Sequence, residues 1–253
     1  GAQSFVPEDL VRLGRVHQGS EIGRAVRLAR EAGFDNLNLD LMFALPGQSV
    51  RAWGQNLDLA LSLKPDHLSL YCLTIEANTR FYRLNKLGML NLPEEDDQIA
   101  MLNLACEKAA AHGFGRYEIS NFARPGRECE HNLCYWRSEE YLGYGPGAVG
   151  CYEEEGVRTR YTNARYPENY VQSIQTGEGR WAESEVLDAE TRLTETLMLG
   201  LRLTDGLPEH EVPIPPKERR LWEERGWLRD VPGRVALSEE GRMIHQELVL
   251  RLI

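Results

Sequence analysis

Apolar residues recur along this chain with two periods, and the switches between them divide it into elements. From Pro7 to Gly33 the spacing is three to four. Leu10, Val11 and Leu13 form a short apolar face, Ile22, Ala25, Val26, Leu28 and Ala29 continue it behind Ser20, placed to cap the second stretch, and Gly33 ends it. FDNLNLDLMF, residues 34–43, alternates instead, as a half-buried strand does, and runs into the Pro-Gly loop ALPGQS. A helix is predicted from about Ser49 with Trp53, Leu57, Ala60 and Leu61 on one face, and DHLSLYCLTI reads as a second strand. Pro93 and the acidic run behind it start a long helix reaching about His112, and FGRYEIS reads as a third strand.

Strands alternating with helices of this length predict an α/β fold of βαβ units with a parallel sheet, open or closed into a barrel. Ligands of such folds sit at the carboxyl ends of the strands, which marks Asp40 to Gln48, Tyr71 to Asn78 and Glu118 to Ala123. Beyond Gly150 the pattern changes. VRTRYTN carries turn chemistry, a helix follows with Leu193, Leu197, Met198 and Leu201, and the chain ends as helix, WLRDVPGRVALS, helix. Two short strands around Pro232-Gly233 flanked by helices predict a small winged-helix-like domain. The expected organisation is therefore an α/β domain over 1–150, connecting strands and a helix over 151–187, and the winged-helix-like domain over 188–253, with no internal repeat.

Composition narrows the function classes. Hydrophobic residues make up 42% and charged residues 27% of the 253, no window approaches a membrane span, and only a peripheral membrane contact fits. A net charge of −10 opposes binding to a phosphate backbone, so nucleic acid is not expected as a partner. Five scattered cysteines do not read as a disulfide framework, and the N-terminus lacks a basic-apolar signal pattern, which points to a reducing, cytoplasmic setting. The opening GAQSF has neither a polar tail nor an initiator Met and reads as the interior of a domain.

Several residues carry candidate chemistry. Strands seldom spend buried positions on amides and carboxylates, so Gln3, Arg15, Asn38 and Asp40 read either as the wall of a polar pocket, Arg15 offering its planar fork to a carboxylate, or as a helix cap and a surface residue. LPGQS and GYGPGA match no phosphate-binding fingerprint and read as tight turns. His17, His67 and His112 stand alone and read as structural. Cys129 and Cys134, five apart, lack the partners of a zinc or iron–sulfur site. In a helix, His131, Cys134 and Tyr135 share one face, and imidazole, thiolate and phenolate are side chains that ligate haem, although a local cluster of this kind is usually core.

Taken in order, GAQSF, LGRVH, AREAGFDNLNLDLMFALPGQ, HLSLYCLTIEANTRFY, RYEISNFARPG, HNLCYW and YLGYGPGA resemble the radical S-adenosylmethionine proteins related to oxygen-independent coproporphyrinogen III oxidase. Within that family they are most similar to the haem chaperone branch, HemW, over almost the whole chain. The resemblance implies a partial (β/α) barrel of the radical SAM type, holding a [4Fe–4S] cluster on a C-x-x-x-C-x-x-C loop with S-adenosylmethionine beside it. The cysteines here, at 72, 106, 129, 134 and 151, cannot make that spacing. The chain is thus similar to a family member lacking its first βα units, an N-terminally truncated barrel over 1–150.

Carried over by position, the resemblance puts Gln3 and Asp40 at the ribose hydroxyls, Arg15 at the methionyl carboxylate, and Thr74 and Val149 along the adenine. HNLCYW fits the His-Asn-x-x-Tyr-Trp pattern associated with haem in the chaperone branch. His131 is then the lead candidate for contact with haem and its iron, with Asn132, Tyr135 and Trp136 in support and Cys134 at a variable position. The function implied is a haem chaperone passing haem to acceptor proteins. The alternatives are an oxygen-independent coproporphyrinogen III oxidase, which decarboxylates propionates by a 5′-deoxyadenosyl radical, and an inactive remnant. A sheet edge left unpaired by missing strands predicts a homodimer.

Overall fold

A computed structural model describes residues 1–177 and 181–253; of the segment 151–187, residues 178–180 lie outside the described part. The chain divides into two units, Gly1–Cys129 and Glu130–Ile253.

The first unit runs α1 (Pro7–Arg12), α2 (Gly19–Glu31), β1 (Asn38–Phe43), α3 (Val50–Ser62), β2 (His67–Cys72), α4 (Arg80–Lys86), α5 (Glu95–Ala111), β3 (Gly115–Arg116) and β4 (Asn121–Ala123). Alternation does in β1 what the sequence predicts: Leu39, Leu41 and Phe43 are buried, while Asn38, Asp40 and Met42 face the other side. The buried side packs with Leu68 and Leu70 of β2 onto Trp53, Leu57 and Ala60 of α3 and Met101, Ala105 and Ala109 of α5. Trp53 is fully buried because its indole N–H finds a carbonyl, Met101 O at 2.9 Å. Ser49 caps α3 by accepting from Ala52 N–H at 3.2 Å. At α2 the cap is Gln18, two residues earlier than the expected Ser20, because Glu21 reaches back to accept from Gln18 N–H at 2.7 Å.

The sheet order is β1-β2-β4-β3. The β1–β2 pair is parallel around α3, a βαβ unit. The expected third parallel strand differs. FGRYEIS breaks after Arg116, and the chain returns as β4, antiparallel to both β2 and β3 and inserted between them. Glu118 causes the reversal: wholly buried, its carboxylate accepts from Ser120 N–H at 2.7 Å and Asn121 Nδ2 at 2.6 Å, which closes the turn. On the far side of β1, Gln3 pairs with Leu41 in a parallel bridge, its N–H donating to Asp40 O at 2.7 Å and its carbonyl accepting from Met42 N–H at 2.8 Å. Ser4, Asp9 and Asn56, all buried, hydrogen-bond together and tie this opening segment to α3.

The second unit contains α6 (Glu130–Trp136), β5 (Val149–Glu154), β6 (Val157–Thr162), α7 (Pro167–Thr176), β7 (Glu183–Val186), α8 (Ala189–Gly200), β8 (Leu207–Pro208), α9 (Pro216–Glu224), β9 (Leu228–Arg229), β10 (Arg234–Leu237), α10 (Glu239–Met243) and α11 (His245–Leu250). Glu155 and Gly156, at φ 52° and 80°, make the two-residue turn that joins β5 to β6. Gly150 lets the Tyr161 ring lie on the strand, where a Cβ would come within 2.2 Å of it. The last part has the helix, strand, helix, hairpin order of a winged helix, with Leu197, Leu201, Trp222, Leu237 and Leu248 in its core.

The division falls at Cys129/Glu130, upstream of the boundary at 150 read from the sequence. The glycine turn 143–148 is stitched to the β5–β6 hairpin: Tyr141 and Cys151 exchange two backbone hydrogen bonds of 2.8 Å, and Asn163 Nδ2 donates to Gly143 O and Gly145 O. Among the described residues no helix is long and apolar enough to cross a membrane.

Leu41 has no exposed surface and sits between both strand neighbours. Leu41→Ala is expected to cost about 2–5 kcal/mol, read as a lower urea midpoint followed by tryptophan fluorescence.

Candidate functional site

Parallel pairing of Asn38 with His67 and of Asp40 with Ser69 puts all four on one face of the sheet, opposite the apolar core. They form a chain of hydrogen bonds. Asn38 Oδ1 meets His67 Nδ1 at 2.8 Å, Asn38 Nδ2 donates to Asp40 Oδ1 at 2.7 Å and to Ser69 Oγ at 3.0 Å, and His67 Nε2 meets Tyr117 Oη at 2.8 Å. His67 and Ser69 are almost fully buried, as is Asn121, whose Oδ1 has no partner. Burial pushes the His67 pKa down, against the pull of Asp40, Glu118 and Glu128, so the ring is neutral at pH 7.

Gln3 and Asp40 come together here. Both the Gln3 amide nitrogen and an Asp40 carboxylate oxygen lie within 4 Å of a Cβ placed on Gly1, and the Gly1 amino group is 3.7 Å from Asp40 Oδ2. Gln3 itself adopts φ 63°. Arg15 is exposed on the loop after α1, and Thr74 is exposed just beyond the carboxyl end of β2. Val149, the first residue of β5, lies in the second unit and is 40% exposed.

In the second unit HNLCYW forms α6 as expected, with Leu133 as its buried anchor. His131 is exposed, its ring meeting Tyr135 edge-on at 4.9 Å, and Tyr135 in turn meets Tyr141 at 4.6 Å. Asn132, Tyr135 and Trp136 line a cavity of about 520 Å³ whose other walls include Tyr141, Arg160 and Met198. Arg160 is ion-paired to Glu185 and Glu195. Cys134 turns toward Glu140 O at 3.5 Å, and burial together with Glu139 pushes its thiol pKa up, so it is a poor thiolate donor. All five cysteines are free, and among the described residues no three His, Cys, Asp or Glu side chains converge as a metal site.

No family model matches the chain. It is 34% identical over 257 residues to the heme chaperone HemW of Bacillus subtilis (strain 168), aligning 98% of this chain with 67% of that protein. The chain belongs to the HemW family. HemW of Mycobacterium tuberculosis (strain ATCC 25618 / H37Rv) is 36% identical over 257 residues, covering 100% of this chain and 64% of its own length. The coproporphyrinogen III oxidase HemN of Escherichia coli, described as a radical SAM enzyme, superposes with a TM-score of 0.72 at 17% identity over 98% of this chain and 62% of that one. That likeness shows the fold, a mixed α/β arrangement of the radical SAM type. The chain spans about two thirds of the length of the HemW proteins it matches.

Two features of this HemW family member escape the sequence reading. His67, read as an isolated structural histidine, is the centre of the polar face, and Glu118 sets the course of the sheet. The signal for His67 was available: NLDLMF and HLSLYC alternate in phase, so pairing them aligns Asn38, Asp40, His67, Ser69 and Tyr71. Folding disfavours protonated His67. Its share of stability is therefore complete above the unfolded pKa near 6.5 and is lost as the pH falls below it. Asn38→Ala is expected to cost about 1–3 kcal/mol in urea unfolding, because it leaves buried polar groups unpaired. It is also expected to shift the His67 titration followed by NMR.

Proposed function

We propose that this chain is the haem-handling part of a HemW-type haem chaperone, taking up haem at α6 and passing it to acceptor proteins. The observation that carries the reading is the arrangement of HNLCYW. One helix turns Asn132, Tyr135 and Trp136 to a cavity of about 520 Å³ and holds His131 exposed, edge-on to Tyr135. An exposed imidazole is available to iron, while the aromatic and amide groups can receive the porphyrin edge. An accessible site suits a carrier, which must release its cargo. Family membership supports the same reading, since the relatives are named heme chaperones.

The first unit fits one wall of an S-adenosylmethionine site. Asp40 Oδ2 and the Gln3 amide supply an acceptor and a donor for ribose hydroxyls, with Arg15, on the loop after α1, and Thr74, just beyond β2, as further candidates. The cofactor, when bound beside a reduced [4Fe–4S] cluster, supplies radical chemistry. The cysteines of this chain do not fit such a cluster: their spacing is wrong, and among the described residues no metal-binding group forms. Five free thiols support a reducing, cytoplasmic setting for the protein.

Haemin titration followed at the Soret band tests the proposal. His131→Ala is expected to weaken binding at least tenfold, about 1.4 kcal/mol, and to alter the band. An unchanged spectrum and affinity would overturn it.

A further inference from the structure

Along the polar face of β1 and β2 the paired rows run from a closed end to an open one. Asn38 and His67 begin the two strands, Asp40 and Ser69 follow, and Met42 and Tyr71 come last, with Tyr71 41% exposed. His67 and Ser69 have almost no surface, whereas Asp40 keeps 34% of its side chain open. Asp40 is thus where the buried polar network meets solvent, on the side where strands of such sheets end and ligands enter.

The direction of each hydrogen bond in the network follows from Asp40. A carboxylate only accepts, so Asn38 faces Asp40 Oδ1 with its Nδ2, at 2.7 Å, and sends its other Nδ2 hydrogen to Ser69 Oγ at 3.0 Å. That orientation turns Asn38 Oδ1 to His67 Nδ1 at 2.8 Å. A carbonyl oxygen also only accepts, so the ring carries its proton on Nδ1. Burial keeps the ring neutral, which leaves a lone pair on Nε2 to accept from the Tyr117 hydroxyl at 2.8 Å. Every bond therefore points the same way, from Tyr117 to His67 to Asn38 to Asp40, and bonds in such a chain polarise one another. The relay uses only Asp40 Oδ1. Among the described residues no side chain hydrogen-bonds Oδ2, and the Gly1 amino group, at 3.7 Å, is beyond hydrogen-bond range.

We infer that Asn38, His67 and Tyr117 are positioning residues for Asp40: their one-way relay pins Oδ1 and holds Oδ2, on the Gln3 side, as a fixed acceptor for a ligand hydroxyl. The inference rests on the S-adenosylmethionine reading of the first unit, in which Asp40 meets ribose, and adds the three side chains that aim it. A carboxylate already held in its binding orientation loses little freedom when the ligand arrives, so the relay contributes affinity without touching the ligand.

Nitrogen NMR of His67 and titration of the full chain with S-adenosylhomocysteine test this. In the wild-type protein at neutral pH, His67 is expected as the Nδ1–H tautomer with Nε2 unprotonated. An Nε2–H ring would overturn the inference without recourse to any variant or ligand. S-adenosylhomocysteine is expected to move the His67 Nε2 resonance through Asn38, and Asn38→Ala is expected to weaken its binding about tenfold and to abolish that movement. Tyr117→Phe keeps the ring in place and is expected to weaken binding by a smaller factor. If S-adenosylhomocysteine does not bind, while the tautomer is Nδ1–H and Asn38→Ala moves the Asp40 carboxyl-carbon resonance, the S-adenosylmethionine reading falls and the positioning of Asp40 stands. If it binds wild type and both variants equally and leaves His67 unmoved, the S-adenosylmethionine reading stands and the inference is overturned.

Discussion

The register between β1 and β2 is the constraint on which the first unit depends. With Asn38 opposite His67, Leu39, Leu41, Leu68 and Leu70 fall on the side of α3 and α5, and Asn38, Asp40, His67 and Ser69 fall on the other. A slip of one residue would drive amides and carboxylates into the core and leucines onto the polar face. Core and site are thus two outcomes of one pairing. Asn38 reinforces it from the polar side, because its single amide joins His67, Ser69 and Asp40 across the two strands.

Much of this arrangement was legible in the sequence, and the failures have physical causes. The βαβ core followed from alternation in NLDLMF and HLSLYC around an apolar helix face, because both periods are long enough to be unambiguous. FGRYEIS was misread because a continuous β-prone run gives no sign of a turn made by a buried side chain; Glu118 looks like a strand residue until its acceptors are counted. His67 was discounted for having no ligating neighbour in sequence, although its neighbours, Asn38 and Tyr117, arrive from 29 and 50 residues away. Arg15 and Thr74 belong to loops, where periodicity says nothing about side-chain direction.

The second unit concentrates its chemistry on one side chain. Trp136 forms part of the wall of two cavities, the second shared with Arg202 and His245, carries Arg202 on its ring, and leaves its indole N–H buried without an acceptor. The pattern in HNLCYW placed Trp136 beside His131, Asn132 and Tyr135, but Arg202 and His245 come from the turn after α8 and from the start of α11, where sequence spacing offered no link to α6.

The opening residues hold a different lesson. Short segments outside regular strands normally open and close more often than the sheet beside them. Here Gln3 is hydrogen-bonded into the sheet edge, and Ser4 is locked with Asp9 and Asn56 inside the protein. In hydrogen-exchange terms the Gln3 and Met42 amides belong to the slow core, so residues 2–6 open with the unit as a whole. A protease added to the folded protein would find this segment as resistant as the strand it extends.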